Sequence, residues 1–326
     1  MSKKILVTGA FGFIGSHLTE FLLQNNHEVI AFDRYNNNNE WGWLENSKFK
    51  NDIEFILGDI RDFDSVNNVV KRSQSIFHLA ALIGIPYSYI SPLAYLKTNL
   101  EGTYNILEAS KLNNLEQVLI TSTSEVYGTA QYIPIDENHP LQAQSPYSAS
   151  KIAADHLAIS YFNSFNLPVK IVRPFNNFGP RQSARAIIPT IVSQLIKNKE
   201  GNLKLGNLSP TRDFTYVTDT CEAYKEIFSN NKFIGEVTNI GNNNEISIKN
   251  LALMIAKIMN CQINFVKDDD RLRPKNSEVE RLVCSNNKML ELSKWKPKLS
   301  FENNLNTTIQ WYKNNSEYLK HNIYNV

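Results

Sequence analysis

Two periods of hydrophobic and polar positions alternate along the first half of the chain. Lys4-Ile5-Leu6-Val7-Thr8 is a short apolar run of strand type, and beyond a glycine-rich turn Leu18, Phe21, Leu22 and Leu23 share one face of an amphipathic helix. Strand-like runs recur at residues 28–32, ending at Asp33, and at 53–57, 75–79, 117–121 and 169–172, with helical spacing between most of them. Strand and helix alternating over about 175 residues predict a parallel, doubly wound sheet covered by helices on both faces. After Arg173 the alternation weakens. Helices are expected at 187–197, 220–228 and 248–259, and short strands at 213–217 and 236–240. Since no repeat or low-complexity linker separates the halves, the pattern divides into residues 1–175, with a chain return around 213–245, and residues 176–326 as a smaller second domain. The crevice where they join is the natural ligand site.

Composition adds exclusions more than identity. The chain has 34 basic and 32 acidic residues, a net charge of +2, so no global field draws it to nucleic acid or to a membrane surface. Its apolar runs stop well short of a membrane span, and Met1-Ser2-Lys3-Lys4 leads directly into a strand pattern, so the cytoplasm is the expected compartment. Cys221, Cys261 and Cys284 are far apart and lack metal-ligand or redox spacing, and no metal site is expected. The asparagine runs at 36–39 and 242–244 read as loops.

Candidate chemistry begins in the first turn. Gly9, Gly12 and Gly15 lie three residues apart in Gly9-Ala10-Phe11-Gly12-Phe13-Ile14-Gly15, after a strand and before a helix, the arrangement that aims backbone N–H groups and a helix N-terminus at a pyrophosphate. Asp33 ends the second strand, 18 residues past Gly15, where a carboxylate bonds ribose hydroxyls and repels a 2'-phosphate, favouring NAD over NADP even with Arg34 beside it. Asp59 and Ile60 are placed to meet the adenine. The run His78-Leu79-Ala80-Ala81 supplies small residues where the cofactor can approach the backbone, with His78 itself expected to be packed and hydrogen-bonded rather than a base.

A second focus runs from Thr121 to Lys151. Ser145 can cap a helix that starts at Pro146, which puts Tyr147 and Lys151 four residues apart on one face. With 14 tyrosines in the chain, a Tyr-x-x-x-Lys match means little alone; its place after a dinucleotide-type half and the hydroxyls of Ser122 and Thr123 gives it weight. A phenol that ordinarily titrates near pH 10 becomes usable as a base when an ammonium stabilises its anion.

These motifs, with Asn99 in Thr98-Asn99-Leu100-Glu101-Gly102-Thr103, the run Arg173-Pro174-Phe175-Asn176-Asn177-Phe178-Gly179-Pro180-Arg181, and Arg212-Asp213-Phe214-x-Tyr216-Val217-x-Asp219, resemble extended short-chain dehydrogenases/reductases acting on nucleotide sugars. The resemblance spans nearly the whole chain and implies a Rossmann-type NAD domain, with Leu79, Ala80, Ala81, Asn99, Thr121, Tyr147 and Lys151 near the cofactor, and a C-terminal substrate-binding domain. Within the family, the residues after Thr123 decide the chemistry. Glu125 occupies the glutamate position of sugar 4,6-dehydratases, which oxidise C4, remove the C5 proton, expel water from C6 and return hydride there. Ser124 departs from the aspartate of dTDP-glucose dehydratases, while Thr-Ser-Glu resembles GDP-mannose 4,6-dehydratases and also UDP-glucuronate decarboxylases. A sugar 4-epimerase and a non-catalytic NAD-binding scaffold remain as alternatives.

Three further segments, 80–89, 122–132 and 205–213, resemble the N-acetylglucosamine nucleotide 4,6-dehydratases of legionaminic acid synthesis, with GDP favoured over UDP as carrier. That resemblance implies that Ile85, Pro86 and Tyr87 line the sugar pocket, while the broader family resemblance implies that Asn176, Arg212 and Arg273 hold the diphosphate, with Arg181 and Arg185 as further candidates. The family resemblance also implies a homodimer through a four-helix contact that includes the helix of Tyr147 and Lys151, on which Ile152, Leu157, Ile159 and Phe162 could serve the core or the interface. Trp295-x-Pro297 is expected to pack.

Overall fold

The computed structural model describes residues 2–198 and 201–319. Seven parallel strands form its central sheet, in the order Val237–Ile240, β6 (Val169–Pro174), β5 (Gln117–Thr121), β4 (Ser75–His78), β1 (Lys4–Thr8), β2 (Glu28–Arg34) and β3 (Ile53–Gly58). Strand order reverses between β1 and β4, which opens a crevice at their C-terminal ends, where ligands bind in sheets of this type. β1, β4, β5 and β6 are almost wholly buried, as expected of strands covered on both faces.

One core layer packs the Phe13–Gln24 helix and the Val217–Ser229 helix on the sheet through Leu18, Leu22, Tyr224 and Ile227. The opposite layer uses the Phe63–Val70, Gly102–Leu112 and Pro146–Phe165 helices, through Val66, Ile106 and Ala158. The second region is built on the Ile187–Lys197, Ile248–Met259 and Phe301–Asn314 helices with small two- and three-stranded sheets around its own core. Chain crossing joins the regions. Val237–Ile240 returns to extend the main sheet beside β6, and Trp295 is buried in the first layer, its indole N–H donating to the Asp219 carbonyl at 2.8 Å.

Several boundaries differ from the hydrophobic pattern. β4 ends at His78, before Leu79, because the chain must turn where Ala80 approaches Gly9. The strand expected at 213–217 is only Phe214–Tyr216, since the chain changes partners at Asp213: Thr211–Arg212 pairs with Ile246–Ser247 and Arg281–Leu282, and Phe214–Tyr216 with Asn176–Phe178. The helix expected at 220–228 begins earlier, at Val217.

Candidate active site

Sterics and conformation shape the first turn. Gly9 has φ +71°, and a β-carbon there would stand 2.8 Å from Ala80 N, so glycine is required twice over. The Phe11 N–H donates to Asp33 Oδ2 at 2.8 Å, fastening the loop to the end of β2, and burial raises the Asp33 pKa against that bond. Phe13 and Ile14 form the first helical turn behind Gly12. Across the crevice the Ala80 N–H donates to Thr8 Oγ1 at 3.3 Å. This backbone cradle, too tight for side chains at Gly9 and Gly15 and bordered by the Asp33 carboxylate, fits a dinucleotide.

Other residues expected around the cofactor have diverse settings. Asp59 accepts the Arg61 guanidinium, including a 2.9 Å bond from Nε, which together with that positive charge lowers its pKa; Ile60 is buried behind it. Arg34 is exposed. His78 is buried between Thr8 Oγ1 at 2.8 Å and Thr103 Oγ1 at 3.2 Å, and desolvation drives its pKa down to about 3, so it is a neutral packing histidine. Asn99 is also buried. Its Oδ1 accepts the Leu82 N–H at 2.8 Å and its Nδ2 donates to Leu82 O and Ser150 Oγ, so the side chain fastens the segment after Ala81 to the neighbouring helix.

The Pro146–Phe165 helix starts as its sequence dictates. Ser145 and Ser148 form a reciprocal capping box and Pro146 occupies the first turn. Tyr147 is thereby buried at the crevice, where its ring edge meets Tyr95 at 6.1 Å between centroids. Burial raises its pKa, a hydrogen bond with the Thr123 hydroxyl opposes that rise, and the nearby Glu125 charge adds to it. Lys151, one turn on, donates from Nζ to the Thr121 carbonyl at 2.6 Å. Burial lowers its pKa to about 8, while Asp155 pulls it back up.

β5 delivers Thr123-Ser124-Glu125 to the same place. Thr123 caps the short turn Ser124–Tyr127 by accepting the Glu125 N–H at 3.2 Å; Ser124 is buried and Glu125 half-buried. Arg212, the first of the expected phosphate-binding arginines, is buried and feels the Glu125 charge, as the phenol of Tyr147 does. Arg212 and Arg273 converge on Glu278 at 3.6 and 3.9 Å, and Arg273 Nη1 is buried without a hydrogen-bond partner, the condition of a cation set for an anionic ligand. Asn176 approaches the Asp213 carbonyl at 3.5 Å. Arg181 is turned elsewhere, paired with Glu20 at 3.0 Å, and Arg185 lies on the surface against Gly84. Ile85 packs with Tyr95 and Tyr147, Pro86 is half-buried, and Tyr87 is exposed, its ring 6.2 Å from Tyr95.

Three participants escaped the pattern of the sequence. Tyr95 buttresses Tyr147 from a separate helix, and Tyr89 bonds Ser277 at 2.5 Å, tying the Ile85–Ile90 helix to the Arg273 loop. Asp155 forms a buried pair with Arg173 at 3.0 Å. Only Asp155 had a local signal, four residues past Lys151 on the same helical face. Among the described residues no cluster of His, Cys, Asp or Glu could hold a metal ion, and no helix is long and apolar enough to cross a membrane.

A family model described as GDP-mannose 4,6 dehydratase matches residues 6–308. The human dTDP-D-glucose 4,6-dehydratase is 31% identical over 96% of this chain and 91% of its own length; a putative UDP-glucose 4-epimerase of Methanocaldococcus jannaschii is also 31% identical, over 96% and 99%. Among solved structures, the dTDP-glucose 4,6-dehydratase of Bacillus anthracis in complex with NAD superposes with a TM-score of 0.86 at 30% identity, covering 98% of this chain and 99% of that one. The chain therefore belongs to the extended short-chain dehydrogenase/reductase family of nucleotide-sugar 4,6-dehydratases and epimerases.

Proposed function

We propose that the protein is an NAD-dependent nucleotide-sugar 4,6-dehydratase, acting on an N-acetylglucosamine nucleotide, GDP-linked in preference to UDP-linked. The observation that carries the reading is a half-buried carboxylate, Glu125, on the short turn that Thr123 caps, beside the Tyr147 and Lys151 helix. A carboxylate on the same loop as Thr123 is suited to the C5 proton, whereas a simple epimerase requires no second base. Bound against the glycine turn, NAD would supply the redox chemistry, taking hydrogen from C4 and returning it at C6. Thr123 and Tyr147 meet the C4 hydroxyl, and Tyr147 takes its proton while the Lys151 ammonium stabilises the phenolate. The resulting ketone acidifies C5–H. Glu125 removes that proton and passes it to the C6 hydroxyl, which departs as water, and C5 regains a proton from solvent once C6 is reduced; buried Ser124 offers no acid for the expulsion, so Glu125 serves twice. Arg212 and Arg273 grip the diphosphate, Asp33 the adenosine ribose.

The N-acetylglucosamine preference rests on the segment around Ile85, Pro86 and Tyr87, which borders Tyr95 and Tyr147. A homodimer is part of the same reading. Ile90, Leu93, Leu96, Tyr104 and Leu112 expose apolar surface on neighbouring helical segments, whereas Ile152, Leu157, Ile159 and Phe162 are partly buried against the protein's own cores.

The test is turnover of GDP- and UDP-N-acetylglucosamine in deuterated water, read by mass and NMR. A 4-keto-6-deoxy product carrying solvent deuterium at C5 is expected, and Glu125→Gln should stop its formation. A C4-inverted sugar without loss of water would establish the epimerase, carbon dioxide from a UDP-hexuronate the decarboxylase, and either would overturn the proposal.

A further inference from the structure

Beside the reaction loop lie two buried charged groups that the proposed chemistry does not use. Asp155 and Arg173 are 2% and 4% exposed, so their pairing takes place almost wholly out of water. Asp155 Oδ2 accepts two bonds, from Ser122 Oγ at 2.8 Å and from Arg173 Nε at 3.0 Å. The other end of the guanidinium donates from Nη1 to Tyr127 Oη at 3.0 Å and lies over that ring, 5.0 Å from its centroid. Tyr127 Oη in turn donates to Asn239 Oδ1 at 2.7 Å, on the last strand of the main sheet.

The chain order of these partners matters. Ser122 immediately precedes Thr123-Ser124-Glu125, and Tyr127 follows them with only Val126 between. One ion pair thus holds both ends of the short turn that presents Thr123 and Glu125. Stability is a poor reason for it, because desolvating a carboxylate and a guanidinium costs several kcal/mol each, and well-packed apolar side chains could fill the same volume. What such side chains could not do is fix the two ends in one register through directional bonds.

We infer that Asp155 and Arg173 are positioning residues for the reaction loop, clamping Ser122 and Tyr127 so that Thr123 and Glu125 meet the sugar beside Tyr147. Asp155 also lies one turn beyond Lys151 on the Pro146–Phe165 helix, so the same carboxylate links the loop to the helix that carries the phenol and the ammonium.

The inference rests on reading Thr123 and Glu125 as reacting groups, so its test has one arm that needs no substrate. In Asp155→Asn of the NAD-bound protein, amide hydrogen exchange in residues 122–127 should quicken on the order of tenfold relative to wild type while the distant Ile248–Met259 helix is unchanged. In turnover of GDP- or UDP-N-acetylglucosamine, kcat should fall on the order of 100-fold with KM within about twofold, since a misplacement of about 1 Å has that effect. Ser122→Ala removes one grip with no change of buried charge and should shift both readouts in the same direction to a smaller extent; it serves if Asp155→Asn does not fold. Unchanged exchange in 122–127 for either folded variant overturns the inference, and so does a rise in KM with kcat intact. If wild type turns over neither sugar, the proposed substrate fails and the exchange arm still decides the clamp.

Discussion

The three glycines of the first turn are separable, because each is required for a different reason. A β-carbon at Gly15 would lie 2.8 Å from the Gly9 carbonyl carbon and 2.9 Å from Ala10 Cα, and nearer still to Gly9 O. Ordinary carbon–carbon contact is about 3.5 to 4.0 Å, so the Phe13–Gln24 helix must back away from the turn by roughly 0.7 Å or more, and every atom in the way is backbone. Overpacking of that kind costs about 1–3 kcal/mol. At Gly12 the same β-carbon stands 3.4 Å from Gly9 O, a contact the turn tolerates, and its other neighbour would be the pyrophosphate. Gly15→Ala should therefore lower Tm by several degrees and release NAD, whereas Gly12→Ala should keep its apo-state Tm and lose NAD. Differential scanning calorimetry of both variants stripped of nucleotide, followed by titration with NAD, separates them. Equal apo stability for Gly15→Ala and wild type, with NAD still bound, would refute the assignment of Gly15 to helix approach.

Tyr147→Phe should abolish turnover yet retain NAD, because in the proposed reaction the phenol acts on the sugar while the glycine cradle holds the cofactor; loss of bound NAD, read by denaturing the purified variant and identifying released nucleotide, would contradict that division. Arg212→Lys should weaken binding of free UDP or GDP by about tenfold, the loss of a bidentate grip, and unchanged affinity by calorimetry would remove Arg212 from the clamp. Buried His78 has a pKa near 3, below the 6.5 of an exposed histidine, so between those values the unfolded state binds more protons and stability falls as pH falls. From pH 7 to 5 this one group should cost about 2 kcal/mol, and His78→Gln should show that much less acid sensitivity in urea unfolding over the same range. Parallel pH profiles for the two proteins would sink the assignment.

How far the sequence reaches depends on the distance over which each feature is determined. The strands, the capped helix at Pro146 and the glycine turn are local: period, Ser145, Pro146 and the spacing of Gly9, Gly12 and Gly15 are all visible in a window of a few residues. Boundaries depart from the pattern where a distant partner decides them, as at Asp213, where the chain passes from the sheet of Ile246–Ser247 and Arg281–Leu282 to that of Asn176–Phe178. The site divides in the same way. Tyr147, Lys151 and Glu125 stand in one stretch and were legible, while Tyr95 beside Tyr147 and the Tyr89–Ser277 bond depend on chain crossings that no local pattern encodes. The Asp155–Arg173 pair lies between these cases. An acid four residues past a lysine is visible in the sequence, but whether it faces water or a guanidinium is decided by β6 docking beside β5, which brings Arg173 to it. Burial then turns a common helical spacing into a constraint on catalysis, since a carboxylate removed from water must keep its partners, and those partners hold the ends of the loop that carries Glu125.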